Sequence, residues 1–424
     1  MSLRLFRIAC LVLLLPLCAC SAPAPRSTPP VADAPPAALL LVSIDGLRAD
    51  ALGRGDTPNL DRLAAGGVRA RWMRPSYPVL TFPNHYTLVT GLRPDHHGIV
   101  HNTMHDPELG GFKLSDREAV GEARWWGGEP LWNGARKAGL GAATMFWPGS
   151  EAPIQGLHPQ RWMPFDAAMP SQARADQVLA WLAEPAATRP RLVTLYFDAV
   201  DSAGHAHGPA SAQVRAAIRE TDAALGHLFD GLAALDLPGG IDIVVVSDHG
   251  MAAVAPDHQV AVEDMVAPEQ ARVVSIGQVV GIEPLPGQAD AVERRLLGAH
   301  ERFDCWRKGE LPARWHYGSH PRIPPIVCQM HEGWDALPRA YLAHRREAGP
   351  RGSHGFDPEL PSMRAVFVAA GPSFREGMVL PPFDNVDVYP LLAQLLGIPP
   401  APNDGDPRTL LPALAVPVAA PASQ

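Results

Sequence analysis

The sequence predicts an α/β fold whose central sheet is mostly parallel and carries helices on both faces. Short apolar runs rich in β-branched residues recur along the 424-residue chain, as in strands that are buried on both faces. Segments with apolar residues at helical spacing lie between these runs. Strands that alternate with helices form parallel sheets with a helical layer on each side. No internal repeat is present.

The individual elements follow in chain order. Strands are predicted at residues 39–44, 142–146, 192–197, 241–247 and 365–370. Helices are predicted at residues 59–65, 84–90, 171–184 and 211–236. The first helix has the clearest limits, because Thr57 is a good N-cap, Pro58 suits the first helical position, and Gly66 and Gly67 end the helix.

Residues 38–410 are predicted to form the main domain. Residues from about 255 to 350 lack the alternation of strand and helix, and we expect them to form a smaller cap region inserted into that domain. Residues 411–424 are predicted to be a flexible tail. The length of the chain fits one large domain with an insertion, or two domains.

The first 37 residues predict export. In the signal, residues 1–20, Arg4 and Arg7 precede an apolar stretch at 8–17 that is too short to span a bilayer. The segment that ends at Cys20 resembles a bacterial lipobox, which predicts acylation of Cys20. Residues 21–37, rich in Pro and Ala, would then tether a periplasm-facing lipoprotein to its membrane. The alternative is an ordinary signal peptide that releases a soluble periplasmic protein.

Charge and cysteine content narrow the possible functions. The net charge is −8 and no long basic run occurs, so we expect no nucleic-acid-binding face. Bound divalent cations would still allow a phosphate-containing substrate. Outside the signal, Cys305 and Cys328 would pair in an oxidising compartment, and two separate buried thiols are the alternative. Neither cysteine is near a candidate site, so a catalytic cysteine is not expected.

Aspartates and histidines cluster at or just beyond the predicted strand ends. Asp248 and His249 directly follow strand 241–247, at the end of a strand where open α/β sheets build their binding sites. Singly, each cluster has an ordinary explanation; Asp45, for example, could be a turn residue. Their recurrence indicates one shared site. The complete set is Asp45, Asp201 and His205 with a glycine that would suit a tight loop between them, Asp248 and His249, and His354.

This set of three carboxylates and three imidazoles contains no thiolate and suits zinc or another borderline divalent metal. Six ligands are too many for one tetrahedral site with an open position, and they suffice for two sites of three ligands each. Two metals about 4 Å apart are the usual arrangement for in-line displacement at phosphorus. The sequence therefore predicts a two-metal hydrolase.

A candidate nucleophile, Thr81, lies just ahead of the helix predicted at 84–90, and Pro83 suits the first turn of that helix. A bound metal and the helix N-terminus would both favour the threonine alkoxide. The alternative is that Thr81 is simply an N-cap. Asn102 would donate to a phosphoryl oxygen in an oxyanion-hole role, or else serve as a turn residue.

Six motifs occur in a fixed order: Ser-Ile-Asp45-Gly, Thr81-Phe-Pro-Asn-His, Gly-Ile-Val-His-Asn102, Asp201-Ser-Ala-Gly-His205, Ser-Asp248-His249-Gly-Met and Gly-Ser-His354-Gly-Phe-Asp. Together they resemble the nucleotide pyrophosphatase/phosphodiesterase family of the alkaline phosphatase superfamily. The similarity extends from about residue 39 to 406. It implies an alkaline-phosphatase-like fold, and with the lipobox it implies a bacterial member.

The resemblance also implies a role for each site residue. Asp201, His205 and His354 would hold one Zn²⁺, and Asp45, Asp248, His249 and the nucleophile Thr81 would hold the other. Asn102 and a backbone N–H of the nucleophile loop would contact the phosphoryl oxygens. Phe82 and Phe165 would stack on a nucleobase, although most Phe side chains pack in cores. Tyr196 and Leu114 would line the same pocket.

The expected activity is hydrolysis of nucleotide diesters or pyrophosphates to nucleoside 5′-monophosphates through a covalent threonine intermediate. Three aspartates and a threonine alkoxide would balance two Zn²⁺, which favours a monoanionic diester over a dianionic monoester. Arg48 and Arg93 would contradict this preference if either faced the site. The alternatives are a choline-phosphodiester or lysolipid phosphodiesterase on the same scaffold, or an inactive, metal-stabilised surface binding module.

Overall fold

A computed structural model describes residues 36–342 and 349–415. The predicted signal, the lipidation site Cys20 and nearly all of the tether lie outside the described residues. Thirteen strands form two sheets: β1 (Ala38–Ile44), β2 (Val68–Ala70), β3 (Ala142–Met145), β4 (Arg161–Met163), β5 (Leu192–Phe197), β6 (Ile241–Val246), β7 (Ala271–Ser275), β8 (Val279–Pro284), β9 (Gly298–Ala299), β10 (Phe303–Arg307), β11 (Ile326–Met330), β12 (Phe367–Ala370) and β13 (Met378–Leu380).

The central sheet has eight strands in the order β13-β2-β12-β6-β1-β5-β3-β4. Neighbouring strands are parallel, except that β12 runs antiparallel to both β6 and β2. The predicted α/β class with a mostly parallel sheet is confirmed, and the predicted strands lie within two residues of the observed ones. Strand β1 is hydrogen-bonded to β5 on one side and to β6 on the other, so its carboxyl end lies between the carboxyl ends of those two strands.

Helices α2, α5 and α11 cover one face of this sheet, and α1, α6 and α8 cover the other. The helices of the described residues are α1 (Pro58–Ala65), α2 (Thr81–Thr90), α3 (Pro94–His97), α4 (Arg117–Gly121), α5 (Leu131–Lys137), α6 (Ser171–Leu182), α7 (Ala199–His207), α8 (Ala212–Ala234), α9 (Val262–Met265), α10 (Ala289–Leu296) and α11 (Val388–Leu396). Successive residues of β1 point to opposite faces. Leu41 packs in a core with α2, α5 and α11, whereas Leu40 packs in a second core with α1, α6 and α8. Among the described residues, no helix combines the length and apolarity needed to cross a membrane.

Helix α1 begins at Pro58 and Thr57 occupies its N-cap position, both as predicted. The Thr57 side chain, however, makes no capping hydrogen bond. The carboxylate of Asp222, which lies on α8, accepts from the backbone N–H groups of Asn59 (3.0 Å) and Leu60 (2.9 Å). A buried carboxylate at the helix N-terminus satisfies free donors and complements the helix dipole. A tertiary contact from α8 therefore supplies the capping hydrogen bonds that the Thr57 side chain does not make.

The second sheet lies between residues 271 and 330, within the region that interrupts the alternating pattern. Its strands follow the order β7-β8-β11-β10-β9 and are all antiparallel. Cys305 on β10 and Cys328 on β11 lie opposite each other and form a disulfide bond. Both cysteines belong to a separate core formed by this sheet, α10 and parts of neighbouring loops. Antiparallel pairing explains why this region lacks the alternation of strand and helix.

Four two-stranded ribbons complete the strand pattern: Met73–Arg74 with Phe383–Asp384, Thr103–Asp106 with Gly110–Lys113, Ala252–Val254 with Arg351–Ser353, and Gln259–Ala261 with Asp335–Leu337. The ribbon that contains Arg351–Ser353 positions His354. It pairs the segment that follows β6 with the segment just before His354.

The prediction of a flexible tail from residue 411 is wrong for residues 411–415. Leu414 is 2% exposed and forms a β-bridge with Phe374, and Ala413 is fully buried. The N–H of Ala415 donates to the carbonyl of Ser373 (2.9 Å). Apolar burial outweighs the loop-like composition here. Residues 416–424 lie outside the described part of the chain.

We expect a chain that ends at residue 410 to be less stable than one that ends at residue 415. The shorter chain loses the buried Leu414, and removal of a buried leucine side chain costs about 2–5 kcal/mol. Thermal or denaturant unfolding of the two truncated chains measures the difference. Equal midpoints would show that residues 411–415 add nothing to the core.

Candidate metal centre

The predicted ligands converge because three adjacent strands end at one edge of the central sheet. Asp45 follows β1, Asp248 and His249 follow β6, and α7 begins two residues after β5. Since these strands are parallel neighbours, their carboxyl ends place the following residues side by side. The N–H of Gly46 donates to Oδ1 of Asp248 (3.2 Å) and ties the ends of β1 and β6 together.

Asp201 and His205 lie on helix α7, and not in the tight loop that the intervening glycine suggested. Residues four apart on a helix share one face, so both side chains point the same way. Gly204 is required for packing rather than for a turn. A Cβ at Gly204 would lie 2.8 Å from the terminal methyl of Met251, which follows the β6 segment closely.

His354 directly follows the ribbon strand Arg351–Ser353, which pairs with Ala252–Val254. The ribbon packs against α7, and a Cβ at Gly352 would lie 2.5 Å from the carbonyl oxygen of Gly204. Only glycine allows this approach. The glycine thus lets the chain bring His354 to the helix that carries Asp201 and His205.

The six side chains form two adjoining triads, each with ligand atoms within 4.8 Å of one another. In the first triad, His354 Nε2 lies 3.1 Å from His205 Nε2 and 3.6 Å from Asp201 Oδ1. In the second triad, His249 Nε2 lies 2.9 Å from Asp248 Oδ2 and 3.4 Å from Asp45 Oδ1. The rings of His249 and His354 stack at 3.6 Å and join the triads into one cluster.

Hydrogen bonds leave the Nε2 atom of each histidine available as a ligand. The Nδ1–H groups donate to backbone carbonyls: His205 to Gly352 (3.1 Å), His249 to Gly250 (2.9 Å) and His354 to Val79 (2.9 Å). A backbone partner on the other ring nitrogen is the usual support for a metal-binding histidine. Two Nε2 lone pairs that face each other at 3.1 Å repel unless a cation or proton lies between them.

Each carboxylate of the triads also has one oxygen without a hydrogen-bond donor. Asp45 Oδ1, Asp201 Oδ1 and Asp248 Oδ2 are buried oxygens that no hydrogen-bond donor satisfies. Burial raises the pKa of Asp45 well above its usual range, and the charges of Asp248 and Asp201 raise it further. Burial, reinforced by neighbouring histidines, lowers the pKa of His354 well below its usual range. The residues present therefore fit two divalent cations with nitrogen and oxygen ligands.

Thr81 is the first residue of helix α2, which begins three residues earlier than predicted. Leu80 occupies the N-cap position, so the alternative that Thr81 is an N-cap is wrong. Thr81 Oγ1 lies 3.4 Å from His249 Nε2 and faces the second triad. The hydroxyl is partly exposed at a helix N-terminus, where the helix dipole favours negative charge.

Asn102 lies beside the nucleophile candidate. Its Oδ1 accepts from the backbone N–H of Phe82 (3.0 Å), and its own carbonyl accepts from the N–H of Leu114 (3.0 Å). Because Oδ1 of Asn102 accepts from the Phe82 N–H, the NH₂ group of the same amide points away from that bond. This is the orientation that a donor to a substrate oxygen requires. The Phe82 N–H is occupied by Asn102. The Leu114 side chain is 41% exposed.

The predicted pocket residues fall into two groups. Phe82 is partly buried, with its edge contacts to Phe112 and Trp126, and Phe165 is partly buried against Phe146 and Tyr196. Each ring also packs against a hydrophobic core on one face of the central sheet, Phe82 on the face of α2 and Phe165 on the face of α6.

Tyr196 differs from its predicted role as a pocket residue. It is buried, and its hydroxyl donates to Oδ2 of Asp45 over 2.6 Å. The chain uses this hydroxyl to hold a ligand of the second triad. The strand register explains this contact, since Tyr196 pairs with Ser43 across β5 and β1, two residues before Asp45.

Neither arginine that could have favoured a monoester faces the cluster freely. Arg48 binds Asp50 through Nε (2.9 Å) and donates to the carbonyl of Met251 (3.2 Å). Arg93 binds Asp384 (2.9 Å). Both guanidinium groups are thus committed to carboxylates outside the triads.

The profile of the type I phosphodiesterase/nucleotide pyrophosphatase family matches residues 39–357. The chain belongs to this family. Rat ectonucleotide pyrophosphatase/phosphodiesterase family member 3 is 37% identical over 407 residues, which cover 92% of this chain and 45% of that protein. A pyrophosphatase/phosphodiesterase from Schizosaccharomyces pombe is 34% identical over 394 residues, covering 88% of this chain and 80% of that protein.

The fold agrees with that of a solved family member. An inactive form of murine ectonucleotide pyrophosphatase/phosphodiesterase 5 in complex with AMP superimposes with a TM-score of 0.84 at 30% identity. The match covers 89% of this chain and 100% of the murine chain. The predicted alkaline-phosphatase-like fold and family membership are confirmed. This chain spans a little under half the length of several curated relatives, 45% in the case of the rat protein.

We expect the purified protein to bind two divalent metal ions per chain and to lose stability when they are chelated. At a free metal concentration 100 times the dissociation constant, each ion would add about 2.7 kcal/mol. His354→Ala should remove one ion and leave the second triad occupied. Metal analysis and thermal unfolding with and without chelator measure both effects.

His258→Ala is the matched control for this experiment. Asp257 and His258 repeat the Asp-His dipeptide of the second triad, but His258 stacks on Trp334 outside both triads. The control should keep both ions. A wild-type protein without metal, or equal metal content in His354→Ala and wild type, would contradict the assignment.

Proposed function

We propose that this protein is a two-zinc phosphodiesterase that hydrolyses nucleotide diesters or pyrophosphates to nucleoside 5′-monophosphates through a covalent threonine intermediate. The observation that supports this most is the position of Thr81 Oγ1, 3.4 Å from His249 Nε2 at the edge of two adjoining triads. The names of relatives, which are phosphodiesterases and nucleotide pyrophosphatases, support hydrolysis of phosphoric diesters.

The reaction would proceed in two displacements. When bound, two Zn²⁺ would favour the threonine alkoxide and lower the pKa of water. Thr81 Oγ1 would attack the α-phosphorus, and the bond from phosphorus to the leaving oxygen would break, which leaves a nucleotidyl group on Thr81. Water would then attack the phosphorus from the side of Asp201, His205 and His354, the bond from phosphorus to Thr81 Oγ1 would break, and the nucleoside monophosphate would leave with Thr81 restored. The Asn102 amide would donate to a non-bridging oxygen in both steps.

The charge of the cluster supports a diester substrate. The three aspartates and a Thr81 alkoxide would balance two divalent ions, so a dianionic group would need a further cation. Arg48 and Arg93 do not supply one, since both bind carboxylates elsewhere. A monoanionic diester or an α-phosphate needs no such partner.

A nucleoside would fit beside the cluster on aromatic surface. Phe82 adjoins the nucleophile, and Phe165 contacts Tyr196, which in turn binds Asp45. Base stacking on an aromatic side chain is worth about 1–3 kcal/mol. The AMP complex of the murine relative supports a nucleotide ligand. That relative was solved in an inactive form with a threonine-to-alanine substitution, which is consistent with a threonine nucleophile in this family.

We also propose that the protein is an exported bacterial lipoprotein that faces the periplasm, anchored through Cys20. The support is the basic and apolar leader, the lipobox-like segment and the Pro- and Ala-rich tether in the sequence. A paired Cys305 and Cys328 fits an oxidising compartment. The substrate would then be a small phosphodiester in that compartment.

Replacement of the nucleophile tests the proposal directly. We expect Thr81→Ala to lower kcat on an aryl phosphate diester roughly a thousandfold or more, because the covalent step is lost. Thr81→Ser keeps a hydroxyl and should retain part of the activity. Wild type should hydrolyse the diester faster than the corresponding aryl monoester. Full turnover by Thr81→Ala would favour a different mechanism, and a faster monoester rate would overturn the assignment of substrate class.

Two aromatic substitutions test nucleoside recognition. We expect Phe82→Ala and Phe165→Ala each to raise KM for a nucleotide substrate by about 5- to 100-fold, as the loss of one stacking contact predicts. A small aryl alkyl phosphate diester, which has no base, is the internal control and should be affected little. Equal losses on both substrates would show that these rings only support the fold.

A further inference from the structure

His85 is a buried histidine that lies beside the second triad without belonging to it. It is fully buried, on the second turn of helix α2, four residues after Thr81. Its motif contributes to the family resemblance, but the motif alone indicates no role for the ring. The contacts of the ring indicate one.

The ring of His85 contacts both chain segments that build the second triad and the segment that carries Thr81. Its Nδ1–H donates to the carbonyl of Thr81 (2.9 Å), and Nδ1 also lies 3.3 Å from Oδ2 of Asp248. Its Nε2 forms a hydrogen bond of 2.8 Å with the hydroxyl of Ser43. Ser43 lies on β1 two residues before Asp45. One side chain thus connects the segments that carry the nucleophile and two of the carboxylates.

The ring is also held against rotation. Trp147 and Tyr196 contact it edge-on, at 5.3 Å and 5.0 Å between ring centroids. The indole N–H of Trp147 donates to the backbone carbonyl of His85 (3.1 Å). A ring that is held by packing and by three polar partners keeps those partners at fixed distances from one another.

We propose that His85 is a positioning residue that sets the distance between the Thr81 hydroxyl and the Asp248 side of the metal centre. This inference rests on the proposed function, in which Thr81 is the nucleophile. Helix α2 begins at Thr81, so no earlier turn holds its first residue. The Nδ1–H of His85 binds the carbonyl of Thr81, and the same nitrogen lies 3.3 Å from the Asp248 carboxylate, so the ring keeps Thr81 beside that carboxylate. A misplacement of about 1 Å in such a constellation lowers rate by about 100-fold.

A set of substitutions separates the two ring nitrogens. His85→Asn can retain a donor near the position of Nδ1, His85→Gln can retain one near Nε2, and His85→Phe retains neither. We expect kcat on an aryl phosphate diester to fall by about 100-fold in His85→Phe and His85→Gln. The kcat of His85→Asn should be at least tenfold higher than that of His85→Phe or His85→Gln. KM should change by less than about threefold in all three, since His85 does not touch the substrate site.

His97→Asn provides the matched control for a purely structural effect. His97 is equally buried, and it also bonds to helix α2, through the hydroxyl of Thr87 (3.1 Å) and the carbonyl of Pro83 (3.2 Å). It contacts neither triad. Thermal midpoints and metal content are measured for every variant, and His97→Asn should lose thermal stability while keeping wild-type kcat.

The outcomes distinguish this inference from the proposed function. If Thr81→Ala is inactive while His85→Phe keeps wild-type kcat, the positioning role is wrong and the nucleophile stands. If Thr81→Ala stays active, the proposed function fails first. A loss of kcat in His85→Phe that excess zinc restores would also overturn the positioning role, because His85 would then act on metal affinity. An equal loss in His97→Asn would reduce the effect to helix stability.

Discussion

The structure depends on the crowding of six ligand side chains into one small and largely buried volume, in which the most exposed side chain is His205 at 36%. Three carboxylate oxygens without donors and three imidazole Nε2 atoms meet within two triads. Such a cluster is unfavourable by itself, because buried like charges and facing lone pairs repel. Cations turn the same arrangement into a stable centre. The fold around the cluster is therefore arranged to hold groups where they would not otherwise remain.

The central sheet supplies most of that restraint. β5, β1 and β6 are adjacent parallel strands, so residues that are far apart in the chain leave the sheet at one edge. The second support comes from outside the sheet, where the ribbon before His354 packs onto α7 through Gly352 and Gly204. The third is a set of hydrogen bonds behind the ligands, made by one side chain and by backbone carbonyls. Tyr196 holds Asp45, and backbone carbonyls hold every ligand histidine.

The sequence predicted features that depend on local pattern and strand order. The strand ends follow from periodicity, and the six clustered side chains and Thr81 follow from short motifs. The Cys305–Cys328 pair follows from the number of cysteines outside the signal and the expected oxidising compartment. It could not predict contacts made between distant elements. Asp222 replaces Thr57 as the cap of α1 only because α8 packs there, and Leu414 is buried only because Phe374 lies opposite. The helix under Asp201 and His205 was missed because Gly204 was interpreted as a turn residue, whereas it allows close packing.

The two sides of the cluster differ in exposure, so the site can be rigid and still open to a substrate. The side of the cluster that faces the sheet is closed by buried groups, including His85, Tyr196 and Asp248. The opposite side has partly exposed groups, including Thr81, Asn102 and Leu114. The proposed nucleophile would need both conditions, since its oxygen would have to reach a substrate while its backbone stays fixed relative to the two triads. Thr81 meets them because its hydroxyl lies at the exposed N-terminus of α2 while its carbonyl is bound by the buried ring of His85.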